Sequence, residues 1–269
     1  DGVWADQTAA DAGFVAQQGS GWGKLARTGD TRAAATPNWS PDGGTVAYTS
    51  AQRVAGSHIG GIKTAGVPKQ PDLILTETTE TDIYTVPFNN GDGGAATPLS
   101  GAATAGVSEY YPDFSADGKF IAFNRAPTTA GYIYYRADAD VHIIPSAGGT
   151  AHRLAANDAP ACSAQAAGTL INSWPKWSPS VEAANGVTYY WVIFSSARAY
   201  QEQFDVPRDY YTPTALETRS SQLYLAAVAV DASGNITSYP AVYIWNQTTD
   251  TSNLTPAWDE FKIPPVVLR

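Results

Sequence analysis

Short apolar runs recur along the chain, and turn-forming residues separate them. The clearest example covers residues 37–48 and reads Pro-Asn-Trp-Ser-Pro-Asp-Gly-Gly-Thr-Val-Ala-Tyr. Its centre, Pro41-Asp42-Gly43, has the residues that a β-turn favours, because proline fixes φ and glycine tolerates a positive φ. Val46-Ala47-Tyr48 then begins a run rich in β-forming residues. The pattern predicts two short strands joined by a tight turn.

The same pattern recurs further along the chain. The later copies open at residues 112–123, at 175–179 with a lengthened turn before 192–196, and at 255–258. A second apolar element follows each full copy, and a glycine-bearing turn follows that element. These second elements lie at residues 82–87, 140–145 and, less closely, 222–226. A fixed order of four short strands, repeated along a chain, is typical of a β-propeller, in which each repeat forms one blade.

The repeat resembles that of the TolB-like β-propeller family. The resemblance lies in the aromatic-Ser-Pro-Asp-Gly turn of residues 39–43, the Ile-Ala-Phe strand of 121–123 and the Asp-Ile-Tyr strand of 82–84. It covers most of the chain and implies an all-β propeller built from four-stranded antiparallel blades. The motif is specific for the fold and not for a function, because such repeats serve as scaffolds, as binding modules and as domains attached to enzymes.

The repeat pattern predicts one domain over residues 1–269, with blades opening near residues 36, 111 and 174. Residues 1–35 are predicted to hold the later part of a blade, and residues 254–269 its innermost strand. If the two chain ends share that blade, the propeller closes with four blades, and closure removes exposed sheet edges. The rival interpretation is part of a larger propeller. We favour a partial or processed chain, because the resembled family usually has more blades.

The openings at Pro37, Pro112, Pro175 and Pro256 are farther apart than the roughly 40 to 45 residues that a blade of this kind needs. The extra chain lies mainly between the second and third strands, at about residues 51–81, 126–139 and 197–221, with smaller excesses at 100–110 and 155–173. In an up-and-down blade these connections lie opposite the Pro-Asp-Gly turns. Insertions concentrated on one face usually mark the binding face. We call the face that carries these insertions the insertion-rich face.

Composition narrows the partners and the compartment. The net charge is −9, which argues against a nucleic-acid partner, and no apolar run is long enough to span a bilayer. Few lysines, abundant small and hydroxyl residues and the family resemblance together favour an exported bacterial protein, whether periplasmic, cell-surface or secreted. The single cysteine, Cys162, is interpreted as an inert thiol in preference to one that pairs with another chain.

Four motifs that carry known chemistry are absent from the sequence, and nothing in it positively suggests a Ser-His-Asp arrangement. There is no Gly-x-Ser-x-Gly elbow, haem-binding Cys-x-x-Cys-His, phosphate loop or His-Glu-x-x-His helix. His142 takes the repeat position of Tyr84 and Tyr224 and is predicted to be a packed strand residue. His152 is predicted to lie on an outermost strand, which leaves His58, in the first insertion, as the histidine to test.

No cofactor is firmly implied by these residues. Calcium stays open as a ligand, because propellers frequently hold hard cations, and Asp138 and Asp140 are its candidate ligands. The turn residues Asp42 and Asp117 are predicted to make hydrogen bonds within their own turns.

Aromatic residues are concentrated in the second and third insertions. The candidate binding residues, with His58, are Tyr132, Tyr134, Tyr135, Tyr200, Phe204, Asp205, Arg208, Tyr210 and Tyr211. Such a set can stack on sugar rings, or it can form a protein-binding hot spot rich in tyrosine and arginine. The alternative is that the aromatic side chains fold back and pack the long loop onto the propeller.

The function expected from these observations is a non-catalytic, exported scaffold that binds a protein or assembles as a subunit through the insertion-rich face. Two alternatives stay open. The chain could be a carbohydrate-binding or glycan-processing module, or the propeller part of a larger secreted enzyme whose catalytic domain is absent from it.

Overall fold

The structure is a computed structural model, and it describes residues 2–5, 13–18, 21–53, 78–127, 136, 138–159, 170–198, 221–247 and 252–258. These residues are almost entirely β-structure in several antiparallel sheets, interrupted by two short 3₁₀ turns at Asn89–Gly91 and Ala155–Asn157. No helix among them is long and apolar enough to cross a membrane. For the residues that the structure describes, the prediction of an all-β fold is confirmed.

The first strands form a small sheet of their own. They are β1 (Gly2–Ala5), β2 (Gly13–Gln18) and β3 (Gly21–Lys24), paired antiparallel in that order. A short strand, β4 (Ala26–Thr28), follows them. Whether the beginning and end of the chain share one blade stays a prediction.

The first full repeat follows the predicted strand order. Its strands are β5 (Ala33–Trp39), β6 (Thr45–Arg53), β7 (Thr78–Pro87), β8 (Gly93–Ala95) and β9 (Thr97–Pro98). β5, β6, β7 and β9 pair antiparallel in that order, and β8 pairs in parallel with β4. We call this unit repeat 1.

The second full copy, repeat 2, has the same order. Its strands are β10 (Ser108–Phe114), β11 (Phe120–Ala126), β12 (Asp140–Pro145) and β13 (His152–Arg153). All neighbours in it are antiparallel. His142 pairs with Phe123 as Tyr84 pairs with Tyr48 in repeat 1, which confirms the predicted equivalence.

Repeat 3 contains an additional hairpin. Its strands are β14 (Ser173–Trp177), β15 (Glu182–Ala184), β16 (Val187–Ser196), β17 (Gln222–Asp231), β18 (Ile236–Ser238) and β19 (Val242–Tyr243). The lengthened turn of the sequence is the β15–β16 hairpin, closed by Asn185-Gly186, with positive φ at both residues. Asn-Gly is the pair that such two-residue turns favour, because both positions need a left-handed backbone.

The repeats bury their faces against one another. One cluster joins Phe120, Val141 and Ile143 of repeat 2 to Val192 and Phe194 of repeat 3. A second cluster joins Ala47 and Ile83 of repeat 1 to residues of repeat 2 such as Ile121, Phe123 and Ile144. Burial of a side chain such as Val, Ile or Phe contributes about 1.5 to 3 kcal/mol to the stability of the fold. The core therefore lies between repeats, as expected of units that cannot bury both faces alone.

Each repeat opens with the same backbone irregularity. The residue before the opening proline has a positive φ in all four copies, at Thr36, Tyr111, Trp174 and Thr255. In β5, β10 and β14 the strand register shifts at this point, as it does at a β-bulge. A positive φ is costly for residues other than glycine, so surrounding contacts must hold it in place.

Side chains of the preceding repeat provide such contacts. The N–H of Tyr111 donates to Thr49 Oγ1 at 3.2 Å, and the N–H of Trp174 donates to Asn124 Oδ1 at 3.0 Å. The bulged residue thus directs its N–H toward the neighbouring repeat instead of its own sheet. The irregularity joins one repeat to the next.

The residue after each opening proline makes a second link. Asn38 Oδ1 accepts the Phe114 N–H at 2.8 Å, and Asp113 Oδ2 accepts the Trp177 N–H at 2.7 Å. The equivalent residue of repeat 3 is Lys176, whose ammonium donates back to Asp113 Oδ1 at 2.8 Å. The Pro-x-aromatic motif therefore fixes the stacking of successive repeats.

Candidate binding face

The strand before each of the three large insertions pairs with the strand after it, up to the point where the insertion begins. Arg53 pairs with Thr78 in repeat 1, Arg125 with Asp140 in repeat 2, and Ser196 with Gln222 in repeat 3. In every repeat these pairs lie at the end of the sheet opposite the turn between the first two strands. Equivalent hydrogen bonds link the three repeats in the same orientation, so the three insertions leave from one face.

The structure does not place the predicted binding residues. His58, Tyr132, Tyr134, Tyr135, Tyr200, Phe204, Asp205, Arg208, Tyr210 and Tyr211 all lie outside the described residues, and so does Cys162. Their roles stay predictions. What the structure describes is the base from which the insertions leave.

An aromatic cluster lies beneath this face on the opening strands. The Tyr111 and Trp174 rings stack with centroids 4.2 Å apart, and Tyr110 meets Tyr111 edge to face at 5.0 Å. Small side chains surround the rings, namely Ala33, Ala35, Ala51, Ala126 and Ala139, together with Leu254. Burial raises the pKa of Tyr110 above its ordinary value, so the phenol stays neutral. The cluster joins all three repeats to the 252–258 segment.

Repeat 2 also has an ion pair between the buried Glu109 and the partly exposed Arg125. Arg125 donates from Nε and Nη2 to Glu109 Oε1, at 3.0 and 2.6 Å, and from Nη2 to the Gly101 carbonyl. The Thr104 N–H donates to Glu109 Oε2 at 2.9 Å. Burial raises the pKa of Glu109, while the bonds from Thr104 and Arg125 oppose that shift. The pair holds the link between repeats 1 and 2.

Repeat 3 has a buried arginine at the start of its insertion. Arg198 is only 4% exposed, and its guanidinium lies over the Phe194 and Tyr224 rings at 5.4 and 4.8 Å. Its Nε donates to Ser196 Oγ at 3.0 Å. Its Nη2 donates to the Ala156 carbonyl at 2.6 Å and to Asn172 Oδ1 at 2.9 Å. Arg198 therefore ties the base of the third insertion to repeat 2.

The two candidate calcium ligands are engaged by arginines. Asp138 receives two bonds from Arg136, at 2.9 and 2.7 Å, and these hydrogen bonds lower the pKa of Asp138. Asp140 receives the Arg153 Nε at 2.5 Å. Groups of three or more metal-ligating side chains do not occur in the part of the chain that the structure describes. The described geometry offers no support for a calcium site at these aspartates.

The opposite face carries the Pro-Asp-Gly turns, and its turn aspartates bond within their turns as predicted. Asp42 Oδ1 accepts from Ser40 Oγ and the Gly44 N–H, and Asp117 Oδ1 accepts from Ser115 Oγ and the Lys119 N–H. The hydroxyl and backbone bonds lower the pKa of Asp42. The hydrogen bonds to these carboxylates stabilise the turns.

A cleft of about 410 Å³ lies on this turn face between repeats 2 and 3. Lys119, His152, Tyr190 and Asp231 contribute to its lining. Tyr190 donates to Asp117 at 2.8 Å, and Asp231 accepts three bonds from its own turn, so these two groups already have protein partners. His152 lies on β13, at the outer edge of repeat 2, as predicted.

The other strand histidine, His142, is buried at 8% exposure against Phe123. Burial, aided by the charge of Arg125, lowers the pKa of His142 to about 4. This confirms the prediction of a packed strand residue.

Sequence reasoning missed Glu109, Arg125, Asn172 and Arg198. A usable signal was present, because Glu109 and Asn172 both lie three residues before an opening proline, and aligning the repeats on that proline pairs them. Arg198 had no such signal, since its contacts come from three separate parts of the chain.

Comparison with known proteins adds little. No protein-family model matches the chain, and no curated protein matches it. Among solved structures, the chain is similar to the "putative TolB" of Agrobacterium tumefaciens, with 17% sequence identity and a TM-score of 0.28, over 84% of this chain and 87% of that one. Because both values are low, neither fold nor function is inferred from this likeness.

Proposed function

We propose that the chain is an exported, non-catalytic β-propeller, similar to TolB-like repeats, that binds another protein or another subunit through its insertion-rich face. One observation carries the proposal. The described ends of all three insertions lie at the same end of their repeats, next to one another in Arg53–Thr78, Arg125–Asp140 and Ser196–Gln222. A rigid scaffold that presents its extra chain on one side is the usual construction of a binding surface.

The stacking of the repeats supports the propeller. Bonds of the same kind run from Asn38 to repeat 2 and from Asp113 to repeat 3, which is the relation expected of blades arranged around an axis. We infer a ring of four blades if the two chain ends complete one blade, and part of a larger ring otherwise.

The turn face is the less suitable binding surface. The Asp42, Asp117 and Asp231 carboxylates there accept hydrogen bonds within their own turns, which assigns them a local structural role. Substituting them is expected to affect the turns before it affects recognition.

The proposal is tested by capture of interacting protein with a matched pair of variants. In the first variant, residues 202–218 are replaced by a short Gly/Ser linker, which removes most of the third insertion. In the second, Lys119→Ala alters an exposed side chain on the turn face. We expect the wild-type chain and the Lys119→Ala variant to retain the same cross-linked partner or to form the same oligomer by light scattering.

The linker variant is expected to lose that association while keeping its melting temperature. Equal association by the linker variant and the wild type contradicts the proposal, as does a wild-type chain that stays monomeric and captures nothing specific.

The two alternatives give different outcomes. A carbohydrate-binding module would show glycan-array binding that is lost in Tyr210→Ala and Tyr211→Ala. A fragment of a larger enzyme would be revealed by the intact mass of the native protein together with the sequence that precedes Asp1.

A further inference from the structure

The repeats provide an internal comparison of two arginines, of which Arg198 is buried and Arg125 is partly exposed. In repeat 2 the residue three positions before the opening proline is Glu109, and its carboxylate bonds to Arg125. In repeat 3 the same position is Asn172, and its amide oxygen bonds to Arg198. The acceptor at the equivalent position is thus charged in repeat 2 and neutral in repeat 3.

All the acceptors that hold the Arg198 guanidinium are neutral. They are a hydroxyl of Ser196, an amide oxygen of Asn172 and the carbonyl of Ala156. A guanidinium carries five N–H donors, of which two belong to Nη1. Among the described residues none accepts a hydrogen bond from Nη1, so these residues leave both of its donors for a ligand.

The charge of Arg198 is also incompletely balanced. Among the described residues no carboxylate lies within ion-pairing distance of it, and Asp158, whose charge reaches it, is bonded to Arg153 at 2.7 Å. Burial lowers the pKa of Arg198 to about 10. A buried cation is costly unless an anion accompanies it. The fold therefore keeps a buried positive charge at the start of the third insertion.

We propose that Arg198 is an anion-binding site that takes a single carboxylate group at its open Nη1 donors, on the insertion-rich face. A singly charged carboxylate fits better than a phosphate dianion, because one nitrogen is open, Asp158 is close and the whole chain carries a net charge of −9. The site itself stands independently of the proposed function; only the view that a protein partner supplies the carboxylate rests on that function.

The test uses acetate as the probe. Arg198 is the site under test, and Arg125 in the same sample is the control. The full chain is labelled with ¹⁵N-arginine, and the Nε–H signals of Arg198 and Arg125 are assigned with Arg198→Lys and Arg125→Lys. Acetate is then titrated to about 0.1 M against chloride at equal ionic strength, since salt at that level screens exposed charges. We expect a saturable shift of the Arg198 signal and none of the Arg125 signal.

Exchanging the charge between the repeats sharpens the test. Asn172→Asp supplies repeat 3 with the carboxylate that repeat 2 has, and it should abolish the acetate response of Arg198. Glu109→Gln makes the opposite change and should confer an acetate response on Arg125. The Arg198 response is read only in variants whose spectrum shows a folded chain, which they can do without matching the wild type in stability.

The proposal is overturned if acetate moves the Arg198 signal no more than chloride does, or if Asn172→Asp leaves the acetate response intact. Failure of partner capture would contradict the proposed function and leave the acetate result unaffected, so the two ideas fail separately.

Discussion

His142 shows how the repeat places an unusual residue in a core position. The same position is Tyr84 in repeat 1 and Tyr224 in repeat 3, and in each case the side chain faces an aromatic residue of the second strand. An imidazole can occupy such a site only while neutral, because protonation would bury an unpaired charge beside Arg125.

The first prediction concerns the pH dependence of stability. The pKa of His142 falls from its ordinary 6.5 to about 4 in the folded chain, so the unfolded chain binds the proton more strongly. The stability that a neutral His142 permits is fully present above pH 6.5, and it is lost as the pH falls from 6.5 toward 4. The loss is about 3 kcal/mol, taken as about 1.4 kcal/mol per pKa unit.

His142→Phe should remove this loss. Denaturant unfolding of wild type and variant at several pH values between 7 and 4 gives the comparison, since other carboxylates titrate equally in both. A parallel decline in the two proteins would contradict the assignment to His142.

At the scale of elements, contacts to neighbouring repeats hold the opening strands in addition to their own hairpins. Asp113 shows this best, since it accepts the Trp177 N–H and the Lys176 ammonium and also receives the Asn38 amide at 2.9 Å. It is only 6% exposed, and burial raises the pKa of its carboxyl, although Lys176 opposes the shift.

The second prediction follows from these contacts. Asp113→Ala should lower the free energy of unfolding by about 2 to 3 kcal/mol, because a buried N–H and an ammonium both lose their acceptor. Asp113→Asn, which keeps an oxygen for the Trp177 N–H, should cost less. Chemical denaturation of both variants measures the difference, and equal losses would count against the hydrogen bond to the Trp177 N–H as a source of stability.

The third prediction uses two glycines with nearly the same backbone. Gly101 and Gly106 have φ of +86° and +85° in the link between repeats 1 and 2. A Cβ on Gly101 would lie 1.8 Å from the Gly149 carbonyl oxygen, whereas a Cβ on Gly106 would meet no atom within 4 Å. Gly106→Ala should therefore cost about 1 kcal/mol from its backbone conformation alone.

Gly101→Ala should cost clearly more, because the link must also move away from Gly149 of repeat 2, whose N–H donates to the Ser100 carbonyl of the link at 2.8 Å. Thermal melting of the two variants side by side checks this. Similar melting temperatures would show that the close approach does not constrain the link.

At the scale of the whole molecule, the segment 252–258 packs against the opening strands of earlier repeats. Leu254 packs against the cluster of Tyr110, Tyr111 and Trp174, and Trp258 Nε1 donates to the Lys176 carbonyl at 3.1 Å. These contacts reach the opening strands of repeats 2 and 3.

The fourth prediction tests this return. Truncation after Gln247 should lower the melting temperature and shift the tryptophan fluorescence to longer wavelength, because Trp174 would lose apolar cover. Trp258→Phe, which removes one hydrogen bond and keeps an aromatic ring, should have a much smaller effect. A truncated chain that melts like the wild type would contradict a structural role for the segment.

The outcome of the sequence analysis differs between fold and site. The sequence predicted the turns at Pro41-Asp42-Gly43 and Asp117-Gly118, the strand order of repeats 1 and 2 and the packed position of His142. These features could be predicted because turn residues and short apolar strands are local properties of the sequence. The extra hairpin at Asn185-Gly186 carried a recognisable turn signal that the repeat comparison passed over.

The sequence by itself determined the repeating β-architecture and the end of the repeats from which the insertions leave, because strand alternation and turn geometry are local properties. Only the tertiary structure decided that Asp113 joins two repeats and that Arg198 is buried among neutral acceptors. Burial and charge balance depend on residues far apart in the chain. The Arg198 contacts bring together residues 156, 172 and 196, and no local sequence pattern predicts that these residues are in contact.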